Sequence, residues 1–167
     1  TCDVAVISLG GIAASRSIKV GGDAFDESIV NHMKKAHNLL IGKNTAEDIK
    51  IKIGSVSSYD GEGAMDVKGR NLTDGLPKSV EITSAEIRDV LAEPVSKIIA
   101  AIKETLEVTL PELAADIIDR GIYLAGGSSQ LRGLPELISK ETKMQVHIPE
   151  KPLDCVALGT SIKLRRA

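Results

Sequence analysis

Two short groups of residues concentrate the polar chemistry of this sequence. The first is Glu47 and Lys50, three positions apart in Thr45-Ala-Glu-Asp-Ile-Lys50, so a helix would set both on one face. A carboxylate there can accept hydrogen bonds from a ligand's hydroxyls, while the lysine stem covers an apolar face. Asp48 and Ile49 complete that turn. The pair reads equally as a solvated ion pair worth only ~0.2–0.5 kcal/mol. The second group is Gly126-Gly127-Ser128-Ser129, which follows the apolar run Ile122 to Ala125. Glycine lacks a Cβ, so the backbone there can come close to another object. In open α/β sheets, a strand ending in such a turn before a helix start is where nucleotides and other phosphate ligands lie. The alternative is a plain connection, with Ser128 and Ser129 as helix caps. Thr1 offers a hydroxyl at the head of a strand, fit for a phosphate or its metal, or for nothing more than a frayed end.

Little else supplies a reaction. Asp3, Asp23 and Asp26 adjoin expected turns, and Glu112, Asp116 and Asp119 lie on an expected solvated helix face. Ser128 and Ser129 lack a nucleophile-elbow pattern, and neither the P-loop nor the G-x-G-x-x-G fingerprint occurs. Cys2 and Cys155 form no disulfide or zinc framework. His32, His37 and His147 have no Cys or His at ligand spacing and read as surface or structural residues. No catalytic residue and no metal ligand is therefore expected.

Composition narrows the class. The chain has 167 residues, 43% apolar and 26% charged, with a formal charge of −2, as in ordinary globular proteins. No stretch approaches the ~18 apolar residues of a membrane span. Phe25, Tyr59 and Tyr123 are the only aromatics, too few for a nucleic-acid stacking platform. A bound purine would rest on aliphatic stems and glycine backbone. Reduced thiols fit a cytoplasmic location. Thr1 stands within two residues of a strand, so a piece of a longer protein is expected.

The elements that must position these groups follow from periodicity. Val4 to Leu9 and Ser15 to Val20 read as a hairpin around Gly10-Gly11. Ile29, Val30, Met33, Ala36 and Leu40 recur at helical spacing, predicting a helix over about Asp23 to Asn38, closed by Gly42. Thr45-Ala-Glu-Asp48 and Thr83-Ser-Ala-Glu86 have capping-box form and should each open a helix. Two strands, Ala64 to Lys68 and Lys78 to Ile82, flank the turn-rich Gly69 to Gly75. Pro94 interrupts the second apolar-periodic segment and predicts a break, taken as a subdomain border. Pro111 to Arg120, Leu134 to Thr142 and Pro152 to Leu164 read as helices, and Gln145 to Ile148 as a strand. The order is mixed α/β, with residues from about 22 to 92 inserted between the two ends.

The sequence resembles the carboxyl-terminal half of the MreB-type bacterial actins. The matching stretches include Thr1-Cys-Asp-Val-Ala-Val-Ile-Ser-Leu-Gly-Gly11, Val20-Gly-Gly-Asp-Ala-Phe-Asp26, Thr45-Ala-Glu-Asp-Ile-Lys-Ile51, Gly75-Leu-Pro77, Pro111 to Gly121, the glycine turn and Cys155-Val-Ala-Leu-Gly159. The resemblance implies half of the two-domain actin and sugar-kinase ATPase fold. Its ribonuclease H-like core subdomain would comprise 1–21 and 93–167, with a smaller α+β subdomain over 22–92. It also implies an ATP/ADP site to which Thr1, Glu47, Asp48, Ile49, Lys50, Gly126, Gly127, Ser128 and Ser129 contribute, with Mg2+ held outside this segment.

Further implications are self-association into filaments that determine rod shape by organising cell-wall synthesis, and a cytoplasmic, membrane-associated location. The wall-elongation machinery and inner membrane surface would be met through the other half. Ser128, Ser129 and Gln130 stand where that family commonly has a glycine, a small residue and an aliphatic one. Two other readings stay open: a chaperone- or sugar-kinase-type ATPase, and a scaffold that has lost nucleotide binding.

Overall fold

The computed structural model describes residues 1–166. Strands β1 (Cys2–Ser8) and β2 (Gly11–Ile18) form an antiparallel hairpin turning through Leu9 and Gly10, both at positive φ. Helix α1 (Gly22–His37) follows. Phe25, Ile29 and Met33 repeat at the helical period and are buried, which fixes the face it turns to the core.

Asn38 ends α1 in the left-handed conformation at φ 52. That stop overrides the helical spacing of Leu40. Leu39–Leu40 instead forms strand β3, pairing with Asn71 and Arg70 of β4 (Ala64–Asn71), which in turn pairs with β5 (Pro77–Thr83).

Helix α2 (Lys43–Ile53) starts two residues before the capping box expected at Thr45. Gly42 is its N-cap, Ala46 N–H donates to Gly42 O at 3.1 Å, and no side chain caps it. The box at Thr83 does work in one direction: Thr83 Oγ1 accepts from Glu86 N–H at 3.2 Å and opens α3 (Ser84–Glu107). Glu86 does not reach back to complete it.

The break expected at Pro94 is absent, for α3 runs through it unbroken. A mid-helix proline costs ~3 kcal/mol. Against this, α3 buries Ile87, Leu91, Val95, Ile98 and Ile102, each worth ~1.5–3 kcal/mol when fully buried. Pro94 is itself buried in that stripe. Packing wins over propensity here.

The remaining elements are α4 (Pro111–Arg120), β6 (Ile122–Tyr123), a 3₁₀ turn (Gly127–Gln130), α5 (Leu134–Thr142), β7 (Val146–His147) and α6 (Cys155–Arg166). β6 and β7 pair in parallel, whereas the β1–β2 and β3–β4–β5 sheets are antiparallel. One contiguous apolar cluster joins α1, α2, α3 and α5, from Phe25 to Ile138.

A candidate nucleotide groove between helix α2 and the glycine turn

The first turn of α1, the outer face of α2 and the turn after β6 enclose a groove of about 570 Å³. Glu47 and Lys50 line one wall, Gly127 and Ser128 another, and Gly22, Asp23 and Asp26 the floor between them. The convergence is close. A Cβ on Gly22 would stand 3.5 Å from Lys50 Nζ and 4.0 Å from Ser128 Oγ. Gly126 has φ 86 and ψ 174, a backbone region that essentially only glycine occupies, and a Cβ there would meet nothing within 4 Å.

Glu47 and Lys50 do not pair with each other. Lys50 Nζ donates to Asp26 Oδ1 at 2.7 Å and weakly to Gly22 O at 3.4 Å. Side-chain exposures are 16% for Lys50 and 5% for Asp26, so the ion pair is buried. Asp26 thus belongs to the packed face of α1 and not to a turn. Its position three residues before Ile29, on the apolar stripe, is the signal that could have found it.

Lys43 and Asp23 form a second pair at 2.7 Å on the exposed lip of the groove. Their hydrogen bond lowers the Asp23 carboxyl and raises the Lys43 ammonium relative to their ordinary values. Among the described residues Glu47 makes no ion pair, which leaves its carboxylate as the free acceptor of the groove.

Arg132, which the sequence did not single out, ties the two walls together. Its Nη1 donates to Lys52 O at 2.9 Å, and Val56 N–H donates to Arg132 O at 2.9 Å. The guanidinium also lies 5.2 Å from the Tyr59 ring centroid. No local pattern marks this, because the contact spans about eighty residues of sequence.

The other expected site residues sit differently. Ile49 is fully buried core and Asp48 is exposed away from the lining. Ser129 is buried, and its hydroxyl donates to Gly126 O at 2.6 Å. Neither serine caps a helix: Gly126 is the N-cap of the 3₁₀ turn and Gly133 that of α5, both without a side-chain cap. Thr1 packs its backbone on Gly21, one residue from the groove floor.

Two of the histidines converge on a carboxylate from another helix. Nε2 of His32 and of His37 both meet Oε1 of Glu86, the former at 2.6 Å. Burial raises the Glu86 carboxyl, but hydrogen bonds from the two rings outweigh it and leave the group below its usual range. A five-residue spacing on α1 with a partner on α3 falls outside helical ligand spacings, so sequence alone could not group them.

Sheets flanked by helices, with a groove at the turn after a parallel strand, define half of an actin-like α/β fold. The MamK double helical filament shares this architecture, with a TM-score of 0.68 over 83% of this chain at 20% identity, a likeness of fold alone. The sequence model described as MreB/Mbl protein matches residues 1–167, and the chain belongs to that family. The cell shape-determining protein Mbl of Bacillus subtilis is 46% identical over 164 residues, 98% of this chain and 49% of that protein. The cell shape-determining protein MreB of Escherichia coli K12 is 45% identical over 159 residues, covering 95% of this chain and 46% of its own length. Crystalline MreB5 of Spiroplasma citri bound to ADP superposes with a TM-score of 0.93 at 42% identity, over 96% of this chain and 49% of MreB5. The chain therefore spans about half the length of the relatives it matches. The family match sets aside the chaperone and sugar-kinase readings.

Proposed function

We propose that the protein containing this segment is an ATP-binding bacterial actin that assembles into filaments and determines rod shape by organising cell-wall synthesis. The observation that carries the nucleotide reading is the meeting of Glu47, Lys50, Gly127 and Ser128 around one groove. Crystalline MreB5 with ADP, and the same protein with AMPPNP, support it.

In this reading Glu47 accepts from the ribose hydroxyls, the Lys50 stem covers the base, and the bare Gly126-Gly127 backbone admits the nucleoside from the other side. Ile49 and Ser129 act by holding those two turns in shape, Asp48 stands exposed on α2 outside the lining, and Thr1 lies on the phosphate side. Asp23 and Asp26 are already neutralised by Lys43 and Lys50. Mg2+ accompanying the phosphates is proposed to be held by residues outside this segment.

The subdomain division at 22–92 remains part of the proposal, with α3 as the rod shared by both parts. Filament contacts would run head to tail, the open arrangement that elongates instead of closing a ring. The wall-synthesis machinery and the cytoplasmic face of the membrane are the partners proposed for the whole protein.

Calorimetric titration of the full-length protein with ATP tests the nucleotide reading. Saturable binding that weakens in Glu47→Ala is expected. No binding would leave the non-catalytic scaffold as the correct description. Binding without ATP-dependent sedimentation would remove the filament part.

A further inference from the structure

The cluster of His32, His37 and Glu86 lies outside the groove. Along α1 it is six to eleven residues beyond Asp26, ~9–16 Å on the helix axis. One potential ligand atom from each residue falls within 4.8 Å of the other two. The two imidazole rings meet edge to face, with centroids 5.7 Å apart.

We propose that His32, His37 and Glu86 form a three-ligand site for a borderline divalent transition metal of the Zn2+ or Co2+ type. Two imidazole nitrogens and one carboxylate are a donor set that suits zinc, cobalt and nickel better than the hard ions Mg2+ and Ca2+, which prefer oxygen. The geometry needs little change. Ligands ~2.0–2.1 Å from a tetrahedral ion lie ~3.3 Å apart, against the present 2.6 Å between His32 Nε2 and Glu86 Oε1. Rotation about the side-chain bonds supplies that opening.

The backbones carrying the ligands are already fixed. His32 lies inside α1, Lys78 Nζ donates to His37 O at 2.9 Å, and Thr83 caps Glu86 N–H. Side-chain exposures of 21–26% leave a side open for a water as fourth ligand. Each ring would present an unprotonated nitrogen to the ion and keep its proton on the other nitrogen. The bound ion would join the end of α1 to the start of α3.

The test uses the nucleotide-free, chelator-stripped full-length protein titrated with CoCl2. One equivalent should produce visible d–d absorption of tetrahedral intensity, which ZnCl2 then abolishes. His37→Ala should weaken cobalt binding by at least roughly tenfold, the loss that even an outer-shell partner brings. Glu86→Gln should do the same while keeping an acceptor for both rings, so it reports on ligation even if the histidine variant folds poorly. His147→Ala, remote from the cluster, should bind cobalt normally. Absence of the band, or full affinity in Glu86→Gln, overturns the proposal. Neither result depends on nucleotide binding, because the groove shares no residue with the cluster.

Discussion

Lys50 has a structural job beside the ligand role proposed for it, and the two predict different measurements. As the counter-ion of Asp26 it holds the first turn of α1 against α2. Lys50→Ala leaves a carboxylate that is 5% exposed without its partner, which should cost about 3–5 kcal/mol in urea unfolding. Adding Asp26→Asn should recover most of that loss, because no buried charge remains. A Lys50→Ala variant of unchanged stability would show that the pair is solvated in solution. A surface pair between Glu47 and Lys50 would have implied only a few tenths of a kcal/mol, so the two descriptions are easily separated. Glu62 offers a pH test at the same scale. Its hydrogen bond with Arg88, aided by Tyr59 N–H at 3.2 Å, holds the carboxyl below its usual range. A carboxyl depressed on folding contributes stability above its unfolded pKa and loses it as pH falls through the folded value. Glu62→Gln should therefore lower stability slightly at neutral pH, and its difference from the parent should shrink as pH falls below the ordinary glutamate range.

At the scale of elements, Thr83 is the one side chain seen to cap the N-terminus of a helix among α1 to α5. Thr83→Ala should cost ~1 kcal/mol, read as a lowered melting temperature, while Thr45→Ala should cost less because Thr45 lies inside the first turn of α2. The two boxes look alike in sequence, and only the backbone stop at Gly42 separates them. Periodicity made α1, α2 and α5 legible to within a few residues, since their buried faces repeat at the helical interval, whereas α4 buries no residue and was marked by Pro111 at its start and Gly121 at its end. Strand β3 was not legible. Two residues carry no period, and its existence depends on pairing with Asn71 and Arg70. In the groove, Glu47 and Lys50 could be placed on one face from spacing, and Asp26 could be placed on the apolar stripe of α1, but the pairing of Asp26 with Lys50 and the contacts of Arg132 could not be read. Their partners are distant in sequence, and such contacts leave no local trace.

For the whole molecule, α6 is the conspicuous surface. It presents Val156, Leu158, Ile162 and Leu164 to solvent at 52–73% exposure. A helix with large apolar side chains exposed on several sides normally contacts another body. Because the relatives are about twice as long, the remainder of the protein is expected to cover it. This segment alone should enhance the fluorescence of an apolar-surface dye more, per mole, than the full-length protein does. Equal enhancement would mean that the face stays open in the intact protein.

Helix α3 has 24 residues, ~36 Å from end to end, and passes Pro94 without a joint. It packs at one end with α1 and β5 and farther along with the β1–β2 hairpin. A rod of that length behaves as a lever: a small tilt imposed near Glu86 is magnified into a sideways swing at Glu107. Flexing between the two subdomains proposed above would then be taken up in the connections beside the rod, at Lys19 to Gly21 above all.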